Sequence, residues 1–212
     1  MHDPGMEFAK VAVAHLLAVA SPGPDFAIVL RQSLRHGRRT AIWTSVGVGM
    51  AILLHVAYSL LGLGFVLTGS PATFAVVKTA GAAYLAWLGI QGLRARPRPP
   101  QVVGEVGASE PPPTARAAWV AGFLTNALNP KATLFFVALF AAVISPETPK
   151  WLQAGYGLWM AAATVGWFVF VSLVFTREAV RSAFLRHGHW VDRALGLVFL
   201  AFAARLAIAS AG

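Results

Sequence analysis

Two lone charges stand inside long apolar runs of this chain, and each directly follows a proline: Asp25 after Pro24, and Lys131 after Pro130. The first closes Ser21-Pro22-Gly23-Pro24-Asp25, within an apolar run from Phe8 to Arg31. The second closes Asn126-Ala127-Leu128-Asn129-Pro130-Lys131. Proline lacks an N–H and clashes with the preceding turn, so an ordinary helix cannot continue through either stretch. In hydrocarbon, broken backbone is tolerated only where protein buries it or where it lines a cavity. An ionisable side chain at that depth marks a functional site by default. Pro24 and Pro130 lie half a chain length apart, so the pattern occurs once in each half.

The chemistry open to these residues is limited. A carboxylate at Asp25 can take up and release a proton, as coupling to a proton gradient requires, or hold a substrate ammonium. Its structural alternative is to cap the helix that restarts at Phe26. Lys131 can hold a substrate carboxylate, or pair with Asp25 and exchange that partner for substrate. A fixed Asp25–Lys131 pair would stabilise little, because desolvation offsets most of the attraction. The hydroxyl of Ser21 and the amides of Asn126 and Asn129 either bind substrate or satisfy opened backbone. Pro22, Gly23, Pro24 and Pro130 supply the breaks themselves. His15 and His55 are proton-relay candidates, although a hydrogen-bonded core histidine is the commoner case. Lys78 reads as a snorkelling side chain. His187 and His189 have no cysteine or carboxylate cluster beside them, which argues against a metal site.

Such charges need spans to carry them. The 212 residues have a mean hydropathy of +0.65, with 57% hydrophobic and only 12% charged side chains. About a quarter of a soluble domain's residues are charged, so the chain reads as an all-α, polytopic membrane protein. Six spans are expected, at about Met6–Leu30, Ala41–Leu67, Thr73–Leu93, Ala118–Ile144, Trp151–Phe175 and Ala194–Ile208, each near the length that crosses a bilayer. Ala18-Val19-Ala20 mimics a signal-peptidase site. Asp3 and Glu7, and the apolar run beyond the prolines, favour a retained first span instead. Residues 95–117 form a proline-rich linker between halves of about 6–94 and 118–210, within one transmembrane domain of residues 1–212. Trp43, Trp119, Trp151 and Trp190 near span ends suit interfacial anchors.

The net charge of +9 lies mostly in three clusters: Arg31–Arg39, Arg94–Arg116 and Arg177–Arg193. That distribution suits cytoplasmic loops rather than a nucleic-acid face, and it places both termini outside. Three spans per half then make the second half enter the membrane from the opposite side. The result is a pair of inverted repeats with broken first helices, a recurring transporter construction. There is no cysteine, which removes thiol relays and disulfides. Hydrolase, zinc-protease, P-loop and dinucleotide motifs are missing too. No cofactor is implied. Glycine-rich spans suit contacts within or between chains, so a homo-oligomer stays open.

Four stretches together resemble the LysE/RhtB family of amino-acid exporters. They are Ser21–Asp25; Leu34–Arg39 with Gly47-Val48-Gly49; Lys78–Leu85 with Leu88-Gly89; and Gly122–Lys131. They cover residues 15–140 in order, while residues 150–212 match in hydropathy alone. Arg39-Thr40-Ala41 departs from the small residues expected there, and the linker is unusually rich in proline. The resemblance implies a secondary exporter of amino acids or their derivatives, driven by protons, in the bacterial cytoplasmic membrane. It places Asp25 and Lys131 at the family's intramembrane charged positions. The alternatives are export of another small solute or cation, or a non-transporting membrane assembly factor or enzyme.

Overall fold

A computed structural model describes residues 3–68, 71–97, 111–145, 147–175 and 177–208. The side chains of 62–78 lie outside the described set, Lys78 among them, and so do linker residues 98–110. Every regular element among the described residues is an α-helix: α1 (Pro4–Ala20), α2 (Pro24–His36), α3 (Arg38–Thr68), α4 (Pro71–Leu93), α5 (Ala115–Ala127), α6 (Pro130–Ala142), α7 (Lys150–Val174) and α8 (Glu178–Ile208).

Both prolyl stretches break the chain as their chemistry dictates. The last backbone bond of α1 runs from the Ser21 N–H to the Leu17 carbonyl. α2 restarts on Pro24, where a missing N–H costs nothing because the first turn has no partner for it. The two axes differ by 52°. α5 runs out at Leu128 and α6 restarts on Pro130, with a bend of 58°. Two unbroken helices, α3 over Arg38–Leu61 and α7, are long and apolar enough to cross a membrane, and each bent pair passes as one further crossing. Up to four of the six expected spans therefore pass among the described residues. The other two fall on α4 and the C-terminal half of α8, which pack against each other. A six-span inverted repeat is not established by this geometry.

Two expected loops are largely helical, which corrects their reading as irregular connections. α2 runs through Arg31 and Arg35 to His36, and α3 begins at Arg38. Only Gly37 separates them, at a φ of 83° that side-chain-bearing residues rarely adopt. Likewise, the basic stretch to Arg193 belongs to α8, a single helix of 31 residues, so the last span is the end of a long helix rather than a short one. The reason is local. Residues 178–193 contain no proline and a single glycine, and arginine, alanine and leucine are good helix formers whatever their charge. His187 and His189 accordingly sit on a helix, with His189 buried.

α3 is the hub, packed against α2, α5, α6 and α7. In lipid, helix association rests on close van der Waals packing rather than water exclusion, and small residues allow it. Gly47 of α3 lies against the Trp119 carbonyl of α5, and Gly122 of α5 against the Thr44 carbonyl of α3. A Cβ at either position would overlap backbone. α6 fills the middle: Phe135, Phe136, Leu139 and Phe140 are buried among Val11, Ile52, Met160 and Phe199. At the far end of α1, the buried Glu7 carboxylate accepts the Ser145 N–H at 2.7 Å and the Thr148 hydroxyl at 2.9 Å, anchoring the turn before α7. That is a structural role, roughly 20 Å along the helix from Ser21 at 1.5 Å per residue.

Candidate functional site

The two breaks meet. Ser21, Gly23, Pro24 and Asp25 from the first, with Asn126, Asn129 and Lys131 from the second, line one cavity of about 50 Å³. Pro22 and Pro130 shape the breaks without lining it. Phe135, Phe136, Phe168 and Phe199 supply apolar wall.

Asp25 lies in the first turn of α2, yet α2 has no side-chain cap, and Gly23 occupies the cap position. The structural alternative, in which the Asp25 carboxylate caps its own helix, is not the arrangement observed. The physical reason is competition from across the break. Asp25 Oδ2 accepts from the Asn126 amide at 3.0 Å and from the Asn129 amide at 3.3 Å. Asn129 also acts through its other end, where Oδ1 accepts the Lys131 N–H at 3.0 Å and caps α6. The two asparagines thus satisfy opened backbone and aim donors at the carboxylate at once.

A chain of donors fixes the Asn126 amide. His55 Nε2 lies 3.1 Å from both the Asn126 carbonyl and its Oδ1. A carbonyl only accepts, so Nε2 carries the proton and Nδ1 the lone pair. Nδ1 then accepts from the Tyr58 hydroxyl. Every bond runs the same way, from Tyr58 to His55 to Asn126 to Asp25, and that polarity places the amide nitrogen on Asp25. His55 is fully buried and stacks on Phe136 at 5.4 Å with planes 6° apart. Its observed place is that of a packed, hydrogen-bonded histidine that orients Asn126.

The second chain of bonds was not legible in the sequence. Lys131 Nζ donates to Ser21 Oγ at 2.6 Å, and the Ser21 hydroxyl donates to Asp192 Oδ1. Asp192 is buried on α8, among residues expected to form a basic loop. The close approach of α8 is visible at Gly188, where a Cβ would lie 2.9 Å from Pro22 Cγ. The one available signal was the helix-forming composition of 178–193, which makes a continuous helix and carries Asp192 to the break.

His15 belongs to the site as well. It is 1% exposed, lines the cavity, and its Nε2 lies 3.0 Å from the Met160 carbonyl and 3.0 Å from Thr164 Oγ1. The arrangement places a carboxylate, an ammonium, two amides and an imidazole around one cavity with apolar walls. No group of three or more His, Asp or Glu able to hold a metal occurs among the described residues.

A family model described as LysE type translocator matches residues 16–210. The threonine efflux protein of Escherichia coli K12 is 28% identical over 203 residues, 96% of this chain and 98% of that protein. The homoserine/homoserine lactone efflux protein of Salmonella typhimurium is 32% identical over 148 residues, 69% of this chain and 68% of that protein. No solved structure matches.

Proposed function

The chain belongs to the LysE type translocator family, a bacterial inner-membrane transporter rather than an enzyme, and on that premise we propose that it exports amino acids by exchange for protons. The observation that carries the reading is the meeting of the two breaks. They bring a carboxylate and an ammonium from opposite halves of the chain to one cavity. A zwitterion presents the complementary pair. Its carboxylate takes Lys131 from Ser21, and its ammonium binds Asp25. Proton uptake at Asp25 releases the ammonium, and proton loss to the cytoplasm resets the site. The proton moves inward as the amino acid moves outward.

The proposed architecture for this cycle is the inverted repeat, with α1–α4 and α5–α8 as its halves and the site at the crossing of their broken helices. The arginine clusters then face the cytoplasm and both termini face outward. A cavity of about 50 Å³ is small beside the roughly 300–1,000 Å³ of open ligand pockets. The geometry therefore fits a nearly closed stage of alternating access.

The test is uptake of a panel of labelled amino acids into inside-out vesicles, with and without an imposed pH gradient. Gradient-dependent accumulation of one amino-acid class, lost in Asp25→Asn and Lys131→Ala with the fold intact, is the expected result. Folded protein that moves no amino acid would refute the reading and shift the weight to another solute.

A further inference from the structure

A second cavity, of about 420 Å³, is lined by Asp3, Glu7 and Lys10 around the start of α1 and by Arg205 near the end of α8. It has the size of an open ligand pocket, which the cavity between the breaks does not. Its polar groups differ in their commitments. Glu7 is buried and both its oxygens accept, one from the Ser145 N–H and the other from the Thr148 hydroxyl. Asp3 caps α1 through Oδ1, which takes the Gly5 and Met6 N–H groups at 2.9 and 3.3 Å, and its Oδ2 bonds no other described residue. Lys10 and Arg205 are exposed, and neither is hydrogen-bonded or ion-paired to a described residue. Outside the three arginine clusters and Lys131, the chain has four cations: Lys10, Lys78, Lys150 and Arg205. Two of those four line this one cavity. A snorkelling side chain explains either cation alone but not their convergence.

The uncommitted groups are ordered along the helices. Lys10 lies about 10 Å beyond Asp3 along α1, at 1.5 Å per residue. Val13 and Leu16 follow, 57% and 48% exposed, and steps of three residues keep them on the face of Lys10. On α8, Leu197, Ala201 and Ala204 form an exposed apolar stripe that ends at Arg205. From the end of the fold inward, the order is an acid, two cations and then apolar surface. A phospholipid with a primary-amine headgroup has the same order: ammonium, phosphate, acyl chains. We infer that the cavity between α1 and α8 holds one such lipid, with its phosphate on Lys10 and Arg205 and its ammonium on Asp3. Head-group recognition by charged pockets between membrane helices follows the same electrostatics as other anion sites. A free amino acid fits worse. Its carboxylate and ammonium share one carbon, so it cannot span from Asp3 to the cations, and it leaves the apolar stripes uncovered. The inference assumes that the chain lies in a membrane and is independent of which solute it exports.

The experiment is native mass spectrometry of the delipidated, detergent-solubilised protein, titrated with phosphatidylethanolamine or with phosphatidylcholine of the same acyl chains. Wild type should retain one ethanolamine lipid over the choline lipid by about fivefold, the scale of one hydrogen bond that a quaternary ammonium cannot donate. Lys10→Gln combined with Arg205→Gln should lower retention of both lipids by about tenfold or more, because the phosphate loses its charged partners. Asp3→Asn keeps a good helix cap and should bring the ratio of the two lipids close to one. Lys150→Gln removes an exposed cation that does not line the cavity and should change neither value. Equal retention of the two lipids by wild type would overturn the inference, and this arm needs no variant to fold. A loss in Lys150→Gln as large as in the double variant would overturn it by reducing binding to general surface charge. Displacement of the bound lipid by a free amino acid would overturn it in favour of a solute site.

Discussion

The two breaks look alike in sequence and differ in what they leave unsatisfied. At the second, Asn129 caps α6 through its Oδ1 and directs its amide to Asp25, while Asn126 is fixed from behind by His55. At the first, α2 has no side-chain cap, and its acid keeps one buried oxygen without a partner among the described residues. The second break is a self-supporting donor platform, and the first leaves one carboxylate oxygen without a donor among the described residues. A proline and a charge open a helix in either case. The capping residue decides whether the opened end is closed by the protein or left for something else.

That contrast can be broken at several points. The largest effect is expected for Asp25→Asn, which keeps the shape and removes the charge: gradient-driven export should fall at least about a hundredfold, the range a lost charged contact in a dry site produces. Thermal stability of the purified protein should stay near wild type. Lys131→Ala should match it in transport. Asp192→Asn should come next. The Ser21 hydroxyl keeps an acceptor there while the second carboxylate's charge is gone, so apparent affinity should weaken by about tenfold with a smaller change in maximal rate, measured as concentration dependence of efflux. Asn129→Ala should invert the pattern, with stability reduced by about 1 kcal/mol for the lost cap and export retained in part. Gly23→Ala should do least. Its backbone is extended, and an added Cβ would meet only the Ser21 carbonyl at 3.8 Å, so the change in stability should remain under about 1 kcal/mol. If Gly23→Ala abolished transport without unfolding, the first break would be reading backbone shape rather than offering an acceptor.

How much of this the sequence disclosed depends on the range of the physics. Proline's missing N–H acts within one turn, so the breaks at Pro24 and Pro130, and the residues flanking them, were readable at once. The small residues of α3 were readable by type, but not the partner they serve: Gly47 meets the Trp119 carbonyl of α5, where only a hydrogen fits. Asp192 was hidden because a carboxylate among arginines has the look of a solvated loop, and only the continuity of α8 carries it to Ser21. Of the two roles open to Asp25, capping is not the one observed, because donors about a hundred residues away in sequence prevail over the local N–H groups. His15 read as a packed core histidine, and its Nε2 is one. That its other nitrogen faces no partner depends on where α7 places the Met160 carbonyl, which no local pattern encodes.

The central claim is that substrate occupies the cavity between the breaks. The chain contains no cysteine, so one introduced at Ala132, a cavity-lining position beside Lys131, would be the sole thiol. The decisive measurement is its rate of maleimide modification in membranes, with and without an amino acid that the protein is shown to export. Protection that rises with substrate concentration and is lost in the Asp25→Asn background is the predicted result. A modification rate indifferent to a saturating, exported amino acid would place the transport site elsewhere.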